Sequence, residues 1–174
     1  MRKLYIVLIP AALALISSQT FAKANLEISW QEPERYTDVR PTNESRLRFR
    51  ERTFNTLDEY IAELAEDLPD GQTLVMTVDN LDLAGQVWPA SFVGLGNGGS
   101  DIRLIKSIDI PRMSFTYQLL DEDGLVLQES AINLKDMSFM NRHNRFFGSE
   151  TLRYEKNMLR NWFKDDFPQL TAKK

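Results

Sequence analysis

The sequence predicts an α+β fold in which two helices cover one face of a mainly antiparallel sheet of about four strands. Apolar residues alternate with a period of two in two segments, a β-branched run and a hairpin partner add two further strands, and apolar residues recur at spacings of three and four in two other segments. The resulting order is strand, helix, strand, strand, strand, helix. Strands joined by tight turns pair antiparallel, and helices at the two ends of such a run share one sheet face, so we expect a two-layer sandwich.

The N-terminus is typical of a secretory signal peptide. A positive start precedes an uncharged apolar run over residues 4–16, which is shorter than the roughly 20 residues that span a bilayer. Small-residue cleavage patterns end at Ala22 and at Ala24, and the sequence does not separate them. We expect residues 1–22 to be removed, leaving a single α+β domain over 23–174 in the periplasm. We expect no transmembrane segment in the mature chain.

The first strand is predicted at Asn25–Trp30, where every second residue is apolar. After a proline-containing loop, helical spacing of apolar residues extends over 43–68, with Asn43 or Ser45 as the N-cap. A capping-box spacing that begins at Thr56 leaves open two shorter helices instead of one.

The second half of the chain predicts three further strands and a helix. The second strand is the β-branched run 72–78, after which a polar turn at 79–85 and a glycine-containing loop follow. Strict alternation over 113–119 predicts a strand, and an acidic turn with a glycine leads to its hairpin partner at 125–132. The second helix is predicted over 149–163, with a proline as its stop.

Composition excludes several kinds of chemistry. The chain has no cysteine and one histidine, which excludes disulfides, thiolate metal sites, cysteine nucleophiles and multi-histidine metal centres. His143 stands alone, and no Gly-x-Ser-x-Gly elbow accompanies it, so hydrolase chemistry is not predicted. The formal net charge of −4 argues against nucleic acid as a partner. We expect no cofactor.

Four residues are candidates for a ligand or anion site: Asp79, Asp82, Asp136 and Arg112. The three carboxylates lie near predicted strand ends, where convergence would let them hold a hard cation or share acid–base work. Arg112 would then act as an anion clamp. The alternative is that these aspartates are turn and surface residues, because aspartate side chains hydrogen-bond their own backbone well.

Two surface segments are candidates for contact with partners. Arg46–Arg52 holds four arginines, which predicts either a solvated helix face or weak contact with anionic lipid headgroups. The segment 137–147 is rich in methionine and phenylalanine, which predicts closure of the core or an adaptable apolar surface for a partner.

Several short strings occur in a fixed order along this sequence: Tyr36-Thr37-Asp38, Asp82-Leu83-Ala84-Gly85, Pro111-Arg112, Leu134 to Phe139 and Tyr154-Glu155-Lys156. With them, the mature chain resembles an uncharacterised family of small exported proteobacterial proteins, catalogued as a domain of unknown function. The resemblance implies a periplasmic setting and a single domain. It implies no activity, cofactor or catalytic residue.

The sequence therefore favours a non-catalytic periplasmic binding or accessory domain that acts through contacts with an envelope protein or a small ligand. The alternative is a metal- or anion-binding enzyme that uses converging aspartate carboxylates with Arg112. Whether any catalysis occurs is left open, and binding is the preferred interpretation.

Overall fold

The structure is a computed structural model that describes residues 23–96, 98–142 and 144–171. The predicted signal peptide and His143 lie outside the described residues. The described residues form six strands: β1 Asn25–Trp30, β2 Thr73–Asp82, β3 Gln86–Trp88, β4 Ile102–Leu104, β5 Arg112–Leu120 and β6 Val126–Lys135. The helices are α1 Arg46–Ala65, α2 Arg153–Asp166 and the short α3 Pro168–Thr171.

The main sheet has the strand order β1-β2-β5-β6. β1 pairs parallel with β2, and the β2–β5 and β5–β6 pairings are antiparallel. The parallel pair follows from chain order, because α1 connects β1 to β2 and a strand that returns through a helix crossover runs in the same direction. The predicted α+β fold with a four-stranded, mainly antiparallel sheet and two main helices is confirmed.

The core lies between the sheet and the two long helices. Alternate residues of β2 and β5 face the helices and are almost fully buried, among them Met76 and Phe115. From the helical layer, α1 contributes Leu57 and α2 contributes Leu159, both with no exposed surface. Burying side chains of this size stabilises the fold by roughly 1.5–3 kcal/mol each.

α1 begins at one of the two predicted caps. The Ser45 hydroxyl oxygen accepts the Arg48 backbone N–H at 3.4 Å, which satisfies one of the free donors of the first turn. The helix continues without a break to Ala65, so the alternative of two shorter helices is wrong. The Thr56 hydroxyl bonds to the Arg52 carbonyl at 2.9 Å and acts inside the helix rather than as a cap.

β2 is longer than predicted and includes residues expected to form a turn. A β-bulge between Val78 and Asn80 adds one residue, so Asp79 is exposed while the alternation resumes with buried Leu81. The strand consequently reaches Asp82, which becomes the last residue of the strand rather than part of a turn. This correction places Asp82 directly opposite the start of β5.

The other differences lie in the predicted glycine-containing loop and near the C-terminus. β3 and β4 pair antiparallel as a separate two-stranded ribbon, most of which the sequence analysis treated as loop. α2 begins at Arg153, four residues later than expected, after Leu152 in a left-handed conformation with φ 56°. Pro168 starts α3, a position that suits proline because the first helical N–H needs no partner.

Candidate functional site

Charged residues form a row across one end of the main sheet. Arg112 opens β5 and lies opposite Asp82 on one side and Lys135, the last residue of β6, on the other. The Arg112 guanidinium donates to the Asp82 carboxylate at 3.2 Å. Asp38 continues the row, because it forms an isolated parallel bridge with Asp82. These residues share the sheet face that the helices do not cover, since Met113 beside Arg112 points into the core.

A cavity of about 290 Å³ opens beside this row. It lies between the segment 37–40, the ends of β2 and β5, and the chain that enters and leaves the ribbon. Most of its charged lining is close to the row, and its apolar lining comes from the ribbon side. The lining includes Thr37, Asp38, Arg40, Asp82, Asp109 and Arg112, together with Val87, Ile108 and Ile110.

Arg103 of β4 ties together the chain segments that surround the cavity. Its guanidinium makes five hydrogen bonds, of which two go to the Asp38 carboxylate at 3.0 and 3.3 Å. The other three go to the carbonyl oxygens of Ala84, Gly85 and Arg40 at 3.3, 3.1 and 3.1 Å. A planar guanidinium can satisfy acceptors on both edges at once, so this residue fixes the loop, the strand end and the ribbon together. We call this arrangement the Arg103 clamp.

The backbone on the ribbon side of the cavity is also fixed. The Gly85 N–H donates to the Asp109 carbonyl at 2.9 Å, and the Asp109 N–H donates to the Lys106 carbonyl at 3.0 Å. Gly85 has φ +78°, and a Cβ there would lie 2.4 Å from the Leu104 carbonyl oxygen. Only glycine fits such a close backbone approach, so this turn is built for one geometry.

Two charged groups of the cavity have no partner among the described residues. The Asp109 Oδ2 atom is buried and accepts no hydrogen bond. Arg40 is exposed, and its guanidinium makes no ion pair or hydrogen bond with any described residue, although its carbonyl is held by Arg103. The lining of this cavity therefore includes one acidic and one basic side chain without a hydrogen-bond partner in the described structure.

Burial dominates the electrostatics of Asp82. Its side chain is 14% exposed, and this desolvation raises the pKa of the carboxyl above its usual value, against the lowering effect of Arg112 and with a raising effect from Asp38. Arg112 is 45% exposed in its side chain, so one side of the ion pair remains open to solvent.

Glu155 of α2 is completely buried behind the Arg103 clamp. Its carboxylate accepts the Ala84 N–H at 2.7 Å, and burial raises its pKa. The Arg103 charge acts in the opposite direction, and the Asp82 charge raises the pKa further. Glu155 also borders a second, more apolar groove of about 360 Å³, whose lining includes Arg103 and shares Arg40 with the cavity.

The structure brings together two of the four candidate site residues. Asp82 and Arg112 form an ion pair that lines the cavity. Asp79 lies at the exposed bulge of β2, and neither it nor Asp136 lines the cavity. Asp136 is buried beyond the end of β6, where its carboxylate accepts the Ser138 N–H at 3.0 Å. Across the described ranges, no group of three or more His, Cys, Asp or Glu side chains is arranged to hold a metal ion.

Sequence reasoning did not identify Arg40, Arg103 and Asp109 as residues of a site. Their arrangement depends on the ribbon, which returns residues near 103 and 109 to the end of the main sheet. The signal available was weak, because the alternation Ile102-Arg103-Leu104 also fits a short strand whose arginine faces solvent.

The two candidate contact surfaces are partly neutralised or buried. In the arginine-rich start of α1, Arg50 pairs with Glu34 and Arg52 pairs with Glu44. In the segment 137–147, Phe139 and Phe147 are buried, whereas Met137 is 78% exposed. Phe146 is also exposed, but the Arg160 guanidinium lies 3.4 Å from the centre of its ring.

A family model matches residues 24–165, with the description "Protein of unknown function (DUF3016)". The match begins before β1 and includes every residue of the cavity. The chain belongs to this family. The resemblance noted from the sequence strings to a domain of unknown function is thereby confirmed.

The cavity is therefore part of the DUF3016 region of the chain, as are the Arg103 clamp and Glu155. No curated protein and no solved structure matches the sequence. Within the described residues, no helix has the length and apolar character needed to cross a membrane.

Proposed function

We propose that this protein is an exported periplasmic binding protein without catalytic chemistry, and that it takes a small polar ligand in the cavity beside Asp82 and Arg112. The observation that carries the proposal is a polar cavity whose walls are fixed by the Arg103 clamp. A site with fixed walls loses little conformational entropy when a ligand binds, which favours affinity. The volume of about 290 Å³ fits a small ligand, since pockets for small molecules span roughly 300–1,000 Å³.

The lining favours binding over nucleophilic catalysis. Its hydroxyl group belongs to Thr37, which is engaged with the Asn80 amide at 2.9 Å. Among the described lining residues there is no serine, lysine, histidine or tyrosine to pair as nucleophile and base. Of the three carboxylates in the lining, Asp38 and Asp82 are engaged by arginine side chains, which favours recognition of a ligand over acid–base or nucleophilic work by a carboxylate pair.

The proposed export rests on the leader sequence. Both predicted cleavage positions precede Asn25, where β1 begins, so removal of the leader at either one leaves the sheet complete. An intact-mass measurement on the protein purified from its own host checks this point. A chain that begins at residue 23 or 25 supports export, and a chain that retains residues 1–22 contradicts it.

Native mass spectrometry of the mature protein, gently purified from the periplasm of its host, tests the binding function. We expect a bound small molecule. The matched variants are Gln86→Trp, which places a large ring on the exposed β3 residue that lines the cavity, and Gln31→Trp, which places the same ring at an exposed position outside its lining.

The proposal requires the bound mass to persist in Gln31→Trp and to be lost in Gln86→Trp. If the bound mass persists in both variants, the ligand binds elsewhere on the molecule and the proposed site is contradicted. A clean monomer mass, or a complex with another polypeptide and no small molecule, would contradict ligand binding and favour a role in protein contacts.

A further inference from the structure

We propose that the ligand of this cavity is a small zwitterion, with a cationic amine held by Asp109 and a carboxylate held by Arg40. The inference rests on the proposed binding function and names the chemistry of its ligand. It follows from which charges in the cavity are already paired and which are not.

Two of the acidic lining residues are already neutralised by the protein. Asp38 is held by two hydrogen bonds from Arg103, and Asp82 by one from Arg112. The lining charges that remain are Asp109 and Arg40, one of each sign. A ligand with a single charge would match one of them and leave the other unpaired, whereas a zwitterion matches both.

Asp109 has the requirements of a site for a cationic donor. Asp109 lines the cavity, its side chain makes no hydrogen bond or ion pair with a described residue, and its Oδ2 atom is buried. A buried carboxylate oxygen without a hydrogen bond is costly, and a charged N–H donor compensates it better than a neutral one. Hydrogen bonds to Gly85 and Lys106 fix the Asp109 backbone, so the side chain starts from a fixed point in the cavity wall.

Arg40, on the other wall of the cavity, has the properties of a site for a carboxylate. Arg103 holds its carbonyl at 3.1 Å, while its own guanidinium is exposed and bonds to no described residue. A free guanidinium binds a carboxylate through two parallel hydrogen bonds, which selects this planar anion over a halide. The residue is thus anchored at its backbone and available at its side chain.

The remaining lining sets the size and polarity of the ligand. Val87, Ile108 and Ile110 add an apolar side to the charged cavity. With a volume near the lower limit for small-molecule pockets, the cavity suits an amino acid or a dipeptide with small apolar side chains.

Isothermal titration calorimetry with the full mature protein tests this inference. The probes are alanyl-alanine, its N-acetyl form, which lacks the cation, and its C-terminal amide, which lacks the anion. We expect the unmodified dipeptide to bind about tenfold or more tightly than either blocked form, since each loses one charge-assisted contact.

Two variants assign the ends of the ligand. Asp109→Asn should abolish the preference for the free amine over the N-acetyl form and keep the preference for the free carboxylate. Arg40→Gln should do the reverse. Neither substitution removes a hydrogen bond or an ion pair within the described protein. The matched controls Asp123→Asn and Arg142→Gln change exposed residues outside the cavity lining.

The outcomes separate this inference from the proposed function. Equal binding of all three probes would overturn the zwitterionic ligand and keep the proposed binding cavity. Preferences for the free amine and the free carboxylate that survive in both variants would do so as well. If no probe binds but the wild-type protein carries a host-derived mass that Gln86→Trp loses, the zwitterion is likewise overturned and the binding cavity is kept. No probe binding and no bound mass would overturn the proposed function itself.

Discussion

Two regions of this molecule contain arginine and aspartate in similar numbers but use them in opposite ways. In the Arg103 clamp, the guanidinium makes five hydrogen bonds and the Asp38 carboxylate accepts two of them. In the adjoining cavity, Arg40 and the Oδ2 atom of Asp109 have no protein partner among the described residues. Satisfied charges hold a fold together, and unsatisfied ones are available to a ligand. The comparison predicts which substitutions should affect stability and which should affect binding.

The largest expected loss of stability comes from removing the clamp. Arg103→Met keeps much of the side-chain volume but leaves the mostly buried Asp38 carboxylate and three carbonyl oxygens without their donor. We expect the free energy of unfolding to fall by about 3 kcal/mol. Urea denaturation measures it. A loss no larger than that of the exposed control Arg142→Gln would show that the clamp is not structural.

A smaller loss is expected from the ion pair of the charged row. Arg112→Gln removes the cation that lowers the pKa of Asp82, so the free energy of unfolding should fall by about 1 kcal/mol at neutral pH. In the variant, the pKa of Asp82 rises further above its usual value, because the lowering effect of Arg112 is gone. Because protonation removes the unpaired charge, the difference from wild type should shrink as the pH falls through the folded-state pKa of Asp82. Denaturation at several pH values checks this, and a difference independent of pH would contradict it.

Glu155, which lies behind the Arg103 clamp, gives the same comparison a pH-dependent test. Its folded-state pKa lies above the usual glutamate value of 4.5, so the charged form disfavours folding at neutral pH. The contribution of Glu155 to stability should therefore increase as the pH falls from neutral toward 4.5. Glu155→Gln keeps an acceptor for the Ala84 N–H and should remove this dependence. Parallel slopes of unfolding free energy against pH for wild type and variant would refute the assignment.

The smallest loss of stability is expected where the charges are unpaired. Arg40→Gln removes no hydrogen bond or ion pair within the described protein, so the free energy of unfolding should change by no more than about 0.5 kcal/mol. Asp109→Asn removes the charge of a buried, unpaired carboxylate, so the free energy of unfolding should not fall. Urea denaturation without ligand measures this. A loss comparable to that of Arg103→Met would assign these residues to the fold rather than to the cavity.

Local sequence signals predicted most of the fold. The Ser45 cap, the alternation around Phe115 and the hairpin turn before β6 each depend on neighbouring residues, and all three were identified. The extension of β2 to Asp82 was missed, because a bulge at Asp79 interrupts the period-two pattern and resembles a turn.

The candidate site was predicted in part, for a related reason. Asp82 and Arg112 were selected because they lie near the ends of predicted strands, and they meet because β2 extends to Asp82, opposite the start of β5. Arg103 and Asp38 are 65 positions apart and meet through the β3–β4 ribbon, for which the sequence carries a weak signal. Contacts at such separations depend on topology, which periodicity does not encode.

The parallel pairing of β1 has a consequence for the order of folding. Ser29 and Thr77 contact each other across 48 positions of the chain, whereas β5 and β6 are joined by a short turn. Closing a short loop loses less entropy and occurs sooner. The β5–β6 hairpin should therefore form before β1 pairs with β2 at the edge of the sheet. β1 is thus expected to be the last strand of the main sheet to pair, and its amide protons should exchange with solvent sooner than those of β5.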